Sequence, residues 1–536
     1  MNCRNIFLDI KGRICSLWRG IINNTTTIQG EYDCKFTIQL YKIYMLIREI
    51  LDKKDKSTIA IKQGNKFITY QNLIDKSREF AKRIEEHAEK DSLTVGIFQK
   101  NSINYAISYF GILFANKIIV PIGIQTKEPE LISTMKYCEV DIIVTDSENK
   151  EFVVNCMRQY EFKVSVYIID NDEMICLNIE KKSIKKSKYL SLNGNEEDVV
   201  IMLHTSGTTS NPKRVMLSSK NLICNIESNI KSLKLTKQDK VLIAMPMFFG
   251  YCNTAQFLTH IYLGAMIVIL DNIFVPKLFF QTVEEEKITN FTGVPTMLLM
   301  LLEYRYYDKY DFSTLRYICF GGGIMPVDKL KQLIVKYPTV GFVHTYGQTE
   351  CAPRVTALLP NKALKKIGSV GKPIPGVRVR IVDMNDNPVG KMETGEIVVQ
   401  GKNVMRGYYK QIEKTNAVIR DKWLHTGDLG YFDKDGYLFL TGRLKNMLIS
   451  GGINIYPEEI EQLLLQHECV ADALVVGKTH DLLGEVPVAK IVLKKKVSAL
   501  ELREFCKEKM AAYKIPVEFE IVNKLDKTYN GKVKRY

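Results

Sequence analysis

The stretch Thr205-Ser-Gly-Thr-Thr-Ser-Asn-Pro-Lys213 concentrates hydroxyls, one glycine and one lysine in nine residues. Backbone N–H groups and hydroxyls at Thr205, Ser206, Gly207, Thr208 and Thr209 can wrap phosphate oxygens, and Lys213 adds a point charge. The spacing is not that of the common phosphate loop, which needs Gly directly before the lysine and Ser or Thr after it. Here Pro212 precedes Lys213 and Arg214 follows it. Alone, such a loop is equally well read as a surface connection. Further along stand Thr345-Tyr-Gly-Gln-Thr-Glu350, Trp423-Leu-His-Thr-Gly-Asp428, Gly442-Arg-Leu-Lys445, Ser450-Gly-Gly-Ile-Asn-Ile-Tyr-Pro457 and Asn530-Gly-Lys532. Together they hold carboxylates, cations and an aromatic. Singly, Glu350 reads as a surface carboxylate, Asp428 as a turn residue and Lys532 as part of a basic tail.

The elements that must position these groups follow from periodicity. Val199–Leu203 is an apolar run that predicts a buried strand before the loop; Leu222, Ile226 and Ile230 predict a helix after it. Further apolar runs at Val95–Phe98, Ile118–Val120, Ile142–Val144 and Val166–Ile169 alternate with helical patterns such as Asn72–Glu86. That alternation predicts an α/β fold with largely parallel sheets. Beyond Gly376 closer strands, Val377–Val382 and Gly395–Val399, predict an antiparallel, β-barrel-like subdomain. From residue 443 a self-contained α+β pattern follows, with a helix opened by Pro457-Glu458-Glu459, strands at Val470–Val476 and Val486–Leu493, and a helix at Leu500–Met510. The expected division is an extension over 1–40, a large domain over 41–442 and a small C-terminal domain over 443–536.

Composition narrows the class. At 536 residues the chain is too long for one core. Its net charge of +15 comes from scattered basic residues with no nucleic-acid module, so a lysine-rich surface is expected and nucleic acid is not a partner. The twelve cysteines form no C-x-x-C pair and the seven histidines no metal spacing, which points to free thiols in a reducing cytoplasm. Residues 1–22 are interrupted by Asp9, Lys11 and Arg13 and are no signal peptide. Residues 241–270 carry no charged side chain, but Pro246, Gly250, Asn253 and Gly264 break them into strand, helix (about Asn253–Tyr262) and strand rather than a membrane span.

In order and spacing these motifs resemble the adenylate-forming (AMP-binding) superfamily, and specifically its acyl- and aryl-CoA synthetases, over about residues 41 to 536. The resemblance implies a large N-terminal domain, a small mobile C-terminal domain and an active site between them. It implies ATP-dependent activation of a carboxylic acid as an acyl-adenylate with release of pyrophosphate, then transfer to a pantetheine thiol. Thr205, Ser206, Gly207, Thr208, Thr209 and Lys213 match the loop that handles the β- and γ-phosphates, with Ser210 and Arg214 departing from the usual glycines. Arg214 could crowd that loop or add phosphate charge. Gly321, Gly322 and Gly323 match the segment beside adenine and the acyl group. Tyr346 and Gly347 match the adenine site, Thr349 an α-phosphate ligand and Glu350 the Mg²⁺ carboxylate. Asp428 matches the ribose acid, Arg443 a nucleotide contact, and Lys445 the hinge at 443–446. Gly451 and Gly452 match the thiol tunnel. Lys532 matches the lysine that bridges carboxylate and α-phosphate, where a cation between two anions lowers their repulsion.

The pocket motif Met245-Pro-Met-Phe-Phe-Gly-Tyr251 holds no acid to pair an α-ammonium, so a free amino acid is disfavoured. Phe248, Phe249 and Gly250 suit an apolar acyl or aryl group. The sequence has no carrier domain after Lys532, so the expected acceptor is separate: CoA, or the phosphopantetheine of a stand-alone acyl carrier protein. The expected cofactors are ATP, Mg²⁺ and CoA. The competing reading is a non-catalytic nucleotide-binding protein, suggested by Ser210 and Arg214. Against it, Glu350, Asp428 and Lys532 are all in place.

Overall fold

The computed structural model describes residues 46–535 apart from 52–53, 90, 162, 171–172, 183–185, 188, 205–212, 272, 324, 451–452, 481 and 528–532. The extension expected over residues 1–40 lies outside the described residues.

Two large mixed sheets carry most of the chain. The first has nine strands, in the order Lys372–Pro373, Arg354–Leu358, Gly341–Gly347, Tyr317–Phe320, Asn290–Gly293, Lys240–Ile243, Met266–Ile269, Ile59–Gln63 and Lys66–Thr69. From Gly341–Gly347 through Ile59–Gln63 the pairings are parallel, and the strands at both edges pair antiparallel. The second has eight strands, with Val199–His204, Ile118–Pro121, Thr94–Phe98, Ile142–Thr145 and Val164–Asp170 parallel at its centre. Parallel strands need crossovers, and helices on both faces bury them completely. Thr94–Phe98, Ile118–Pro121 and Ile142–Thr145 are accordingly buried at every residue. The apolar runs that predicted these strands are the requirement of two covered faces. The helices between them start where the sequence can cap them. Thr69 accepts from the Asn72 N–H at the start of Tyr70–His87, and Ser218 with Asn221 forms a reciprocal cap on Ser219–Leu233.

A third sheet is antiparallel, built from Val377–Val382, Gly395–Gly401, Ile419–Arg420, Trp423–Phe432 and Leu438–Arg443. From Leu448 onward the chain forms a separate sheet with its own core, including Ile455, Ile460, Leu464, Val475, Ile491 and Leu502. The architecture is thus α/β, a large N-terminal part of mixed sheets with parallel centres and a small α+β part at the C-terminal end.

The uncharged stretch 241–270 is Lys240–Ile243, a helical run over Gly250–Leu263 and Met266–Ile269. Among the described residues no helix is long and apolar enough to cross a membrane. The centre of the helical run, Asn253–Leu258, is a π-helix, which its sequence does not announce.

The small part is tied to its own C-terminus by charge. Arg535 donates through Nη2 to Glu461 Oε2 at 2.6 Å and lies 3.3 Å from Glu458. Glu458 also accepts from Asn446 Nδ2 at 2.5 Å, and its Oε2 lies 2.6 Å from where a Cβ on Gly442 would sit. Burial raises the Glu461 carboxyl to about 7, Glu458 adds to the rise, and Arg535 and the Val475 N–H oppose it. A raised folded-state value stabilises the fold below the unfolded value of about 4.5, and that share is lost as pH rises through about 7. Between about pH 5 and pH 8 the wild type is therefore expected to lose thermal stability more steeply than Glu461→Gln, with Asn446 and Glu458 unchanged. Parallel pH profiles of the two proteins in melting experiments would refute this.

Candidate active site

The strand Gly341–Gly347 carries Tyr346 to the end of the nine-stranded sheet, and the 3-10 turn Thr349–Cys351 follows at once. Tyr346 is buried, and its hydroxyl donates to Asp428 Oδ2 at 2.8 Å. Asp428 lies on the third sheet in register with Arg443, whose Nε donates to Asp428 Oδ1 at 2.8 Å. The two carboxylate oxygens therefore each meet a partner, Tyr346 from the nine-stranded sheet and Arg443 from the adjacent strand of the third sheet. Burial together with the Asp428 charge pushes the Tyr346 phenol well above its usual range, so it stays a donor at any physiological pH.

Glu350 sits beside this contact. Its Oε1 accepts from Tyr408 Oη at 2.9 Å, and Lys213 Nζ stands 4.6 Å above the Tyr408 ring. Burial raises the Glu350 carboxyl, while Tyr408 and the charges of Lys213 and Arg443 pull it down. Lys445 is lowered by desolvation and then by Arg443, Arg535 and Lys213, so these cations share one region. A carboxylate whose charged form is disfavoured by burial, next to gathered cations, suits a polyanion with its metal ion. Among the described residues no group of three or more metal-ligating side chains exists. A single carboxylate is nonetheless the usual protein share for Mg²⁺ held mainly by phosphates.

The floor is made by close approach. A Cβ on Gly321 would lie 2.4 Å from the Thr345 carbonyl oxygen, while Gly322 takes a φ of +77° and Gly323 borders Pro295. Thr345 Oγ1 donates to the Phe320 carbonyl and meets Tyr251 Oη at 2.7 Å. Gly347, paired with Arg354, is exposed.

The expected acyl-pocket residues adjoin this floor. Phe248 and Phe249 rings are 4.3 Å apart. A Cβ on Gly123 would meet the Phe248 ring at 2.8 Å, and one on Gly250 would lie 3.6 Å from Thr349 Cγ2. Asn101 fixes this turn by donating to the Met245 carbonyl and accepting from the Met247 N–H, both at 2.8 Å.

The structure thus brings together Lys213, Gly321, Tyr346, Thr349, Glu350, Asp428, Arg443 and Lys445. Thr205, Ser206, Gly207, Thr208, Thr209, Ser210, Gly451, Gly452 and Lys532 lie outside the described residues. Arg214 is corrected: it does not serve as phosphate charge. It is buried in the strand Arg214–Ser218 and donates to Thr134 Oγ1 at 2.7 Å, because strand alternation turns it to the face opposite Val215. The nine described cysteines are free, and burial raises the Cys351 thiol far above its usual range, so it stays protonated. Nothing in the sequence marks Tyr408 or Asn101. Each acts on a partner distant in the chain.

A model for AMP-binding enzymes matches residues 49–409, and one for the AMP-binding enzyme C-terminal domain matches residues 459–532. The chain belongs to the AMP-binding enzyme family. This AMP-binding enzyme is 38% identical over 347 residues to the putative acyl-CoA synthetase YngI of Bacillus subtilis, an alignment covering 64% of this chain and 63% of that protein. It is 31% identical to 2-succinylbenzoate–CoA ligase of the same organism, over 89% of this chain and 94% of the relative. Among solved structures it resembles o-succinylbenzoate CoA synthetase from Bacillus subtilis in complex with the acyl-adenylate intermediate OSB-AMP. That match has a TM-score of 0.78 and 29% identity, covering 91% of this chain and 95% of the other.

Since the Thr345 carbonyl cannot swing aside as a side-chain tip can, Gly321→Ala is expected to cost about 1–3 kcal/mol, the usual range for overpacking. Gly322→Ala has open space but a left-handed backbone and should cost about 1 kcal/mol. Denaturant unfolding of the two variants checks the order, and a larger loss at Gly322 would contradict it.

Proposed function

We propose that this AMP-binding enzyme activates a carboxylic acid as its acyl-adenylate and passes the acyl group to the thiol of CoA. The observation that carries this reading is the meeting of Tyr346, Asp428 and Arg443 beside Glu350, Tyr408 and Lys213. It gathers a ribose-type carboxylate acceptor, a metal-type carboxylate and cations within one region, with Thr349 beside Gly250 of the aromatic turn Phe248–Gly250. The activities named for the relatives, CoA ligases and a synthetase solved with an acyl-adenylate, support the same reading.

A carboxylate is a poor electrophile because oxide is a poor leaving group; attack on the α-phosphate replaces it with AMP. The residues have to hold ATP, offset charge at that phosphorus and keep attacking and leaving oxygens in line. Asp428 would accept from the ribose hydroxyls, its two oxygens oriented by Tyr346 and Arg443. Thr349 would bind the α-phosphate, and Lys213 with the Thr205–Thr209 loop the outer phosphates. Glu350 would hold Mg²⁺, which supplies positive charge against the phosphate oxygens. Lys532 would stand between carboxylate and α-phosphate. Rotation of the part beyond residues 443–446 would then withdraw Lys532 and bring Gly451 and Gly452 to the thiol.

Acid-dependent ATP–pyrophosphate exchange, run across fatty, aryl and amino acids, tests this. Exchange is expected with a non-amino acid and is expected to fall about 100- to 1,000-fold in Lys532→Ala, the usual weight of one charge-stabilising donor. Exchange unaffected by that substitution would refute the assignment of Lys532, and acyl transfer to a carrier protein but not to CoA would reassign the acceptor.

Tyr408 gives a pH test. Its hydroxyl lowers the Glu350 carboxyl, so Tyr408→Phe raises it further. Glu350 must be charged to hold a metal ion; the acid limb of the exchange profile should therefore move to higher pH in the variant. An unmoved limb would separate Glu350 from the metal.

A further inference from the structure

Asp428 does not stand on a regular stretch of strand. Across the third sheet Glu396 is opposite Leu429 and Val398 is opposite His425, so Ile397 alone faces Thr426, Gly427 and Asp428. The strand Trp423–Phe432 is therefore bulged at the residue that carries the carboxylate. Bulges gather beside active sites, where they re-aim a side chain. The ends of this one are anchored: Ile397 is fully buried, and Leu424 and Leu429 are nearly so.

A bulged residue loses its partner in the ladder, and its N–H has to be met some other way. Here side chains supply the acceptors. Gly427 N–H donates to Glu396 Oε1 at 2.9 Å, and Asp428 N–H donates to Thr426 Oγ1 at 3.1 Å. Thr426 Oγ1 in turn donates to the Ile397 carbonyl at 2.6 Å. Gly427 takes a φ of +68°, and a Cβ on it would meet nothing within 4 Å. On that side the corner is held by hydrogen bonds and not by packing. Glu396 is itself fixed. Its side chain is largely buried, its Oε2 meets His425 Nδ1 at 2.8 Å, and Arg420 Nη2 lies 3.9 Å away. Arg420 is paired with Asp386 at 2.8 Å. The Glu396 carboxylate thus divides its oxygens, one to neighbouring side chains and one to the backbone of the bulge.

Tyr346 and Arg443 turn the Asp428 carboxylate about its own bonds, but the bulge decides where its backbone stands. A carboxylate oxygen that accepts one hydrogen bond can accept another, so both oxygens can still take a hydroxyl. Meeting two hydroxyls on adjacent carbons requires placement to within about 0.5 Å. We propose that Glu396 is a positioning residue for the ribose. Through the Gly427 N–H it holds the bulge at 426–428 in the shape that presents Asp428 to both ribose hydroxyls, and it acts on the nucleotide only through Asp428. The proposal rests on the reading of Asp428 as the ribose acceptor given above.

The test is calorimetric titration of the full chain, with Mg²⁺ present, by ATP and by 2′,3′-dideoxy-ATP, which lacks both hydroxyls. The wild type is expected to bind ATP at least about 10-fold tighter, the usual weight of hydrogen bonds to a charged group. Asp428→Ala should bind the two nucleotides alike. Glu396→Met should weaken ATP about 10-fold and leave the dideoxy nucleotide unchanged. Two further variants separate position from charge. Glu396→Gln keeps an acceptor for the Gly427 N–H without the charge and should retain the preference for ATP. Glu396→Asp keeps the charge but withdraws it by one methylene and should lose the preference. A wild type that binds both nucleotides alike, or a preference that survives Asp428→Ala, overturns the ribose reading and the proposal with it. A preference kept in Glu396→Met, or both nucleotides weakened equally there, overturns the proposal and leaves Asp428 as the ribose acceptor. Should Glu396→Met not fold, Glu396→Asp decides: a preference retained in that variant overturns the proposal.

Discussion

The carboxylate of Asp428 is the point on which the molecule's parts converge. One oxygen is held by Tyr346 from the nine-stranded sheet and the other by Arg443 from the last strand of the antiparallel sheet. A buried carboxylate is tolerated only when its lone pairs are met, and here the two partners come from separate layers. The interaction ties the end of the strand Leu438–Arg443 to the nine-stranded sheet, directly before the turn Leu444–Asn446. Glu458 continues the connection by reaching back to Gly442 and Asn446 while sharing Arg535 with Glu461.

Around this pair, charge is arranged by sign and by depth. Lys213, Arg443 and Lys445 interact within one region, where burial pushes both Glu350 and Lys445 toward their neutral forms. Arg354, buried on the nine-stranded sheet, has the neutral Tyr251 and Cys319 as neighbours.

Most of the scaffold could be read from the chain because parallel strands buried on two faces leave a plain apolar signature. Thr94–Phe98, Ile118–Pro121 and Ile142–Thr145 fall within a residue of the runs that predicted them. Val377–Val382 coincides with its run, since hairpin strands flanked by Asn and Asp turns mark their own ends. The strand Glu173–Ile179 had no such mark: it is an edge strand, largely half-exposed and mixed in composition. The π-turn at Asn253–Leu258 was invisible because it differs from an α-turn only in register. In the site, the motifs located Tyr346, Glu350, Asp428 and Arg443, but not the residues that orient them. Asn101 and Met245 are 144 positions apart and Tyr408 and Glu350 are 58, so their pairing is a property of the folded topology alone. A guanidinium buried without an anion is also unreadable from sequence, where arginine is by default an exposed residue.

The order of strands in the nine-stranded sheet also bears on how the chain reaches this state. Ile59–Gln63 pairs with Met266–Ile269, so its inner neighbour is made about 200 residues later, roughly 10–40 seconds of synthesis. Until then one side of this apolar strand has only solvent beside it, and the whole eight-stranded sheet can form in the interval, apart from its edge strand Gly407–Tyr408. Such late, non-local pairing is slow and leaves an open edge that other chains can join. The hairpin partner Lys66–Thr69, already present, covers the opposite edge and begins with lysine, a charge that discourages stacking by another strand. Production of the protein should therefore depend on whatever shields that single edge on the ribosome more than on the stability of the finished sheet.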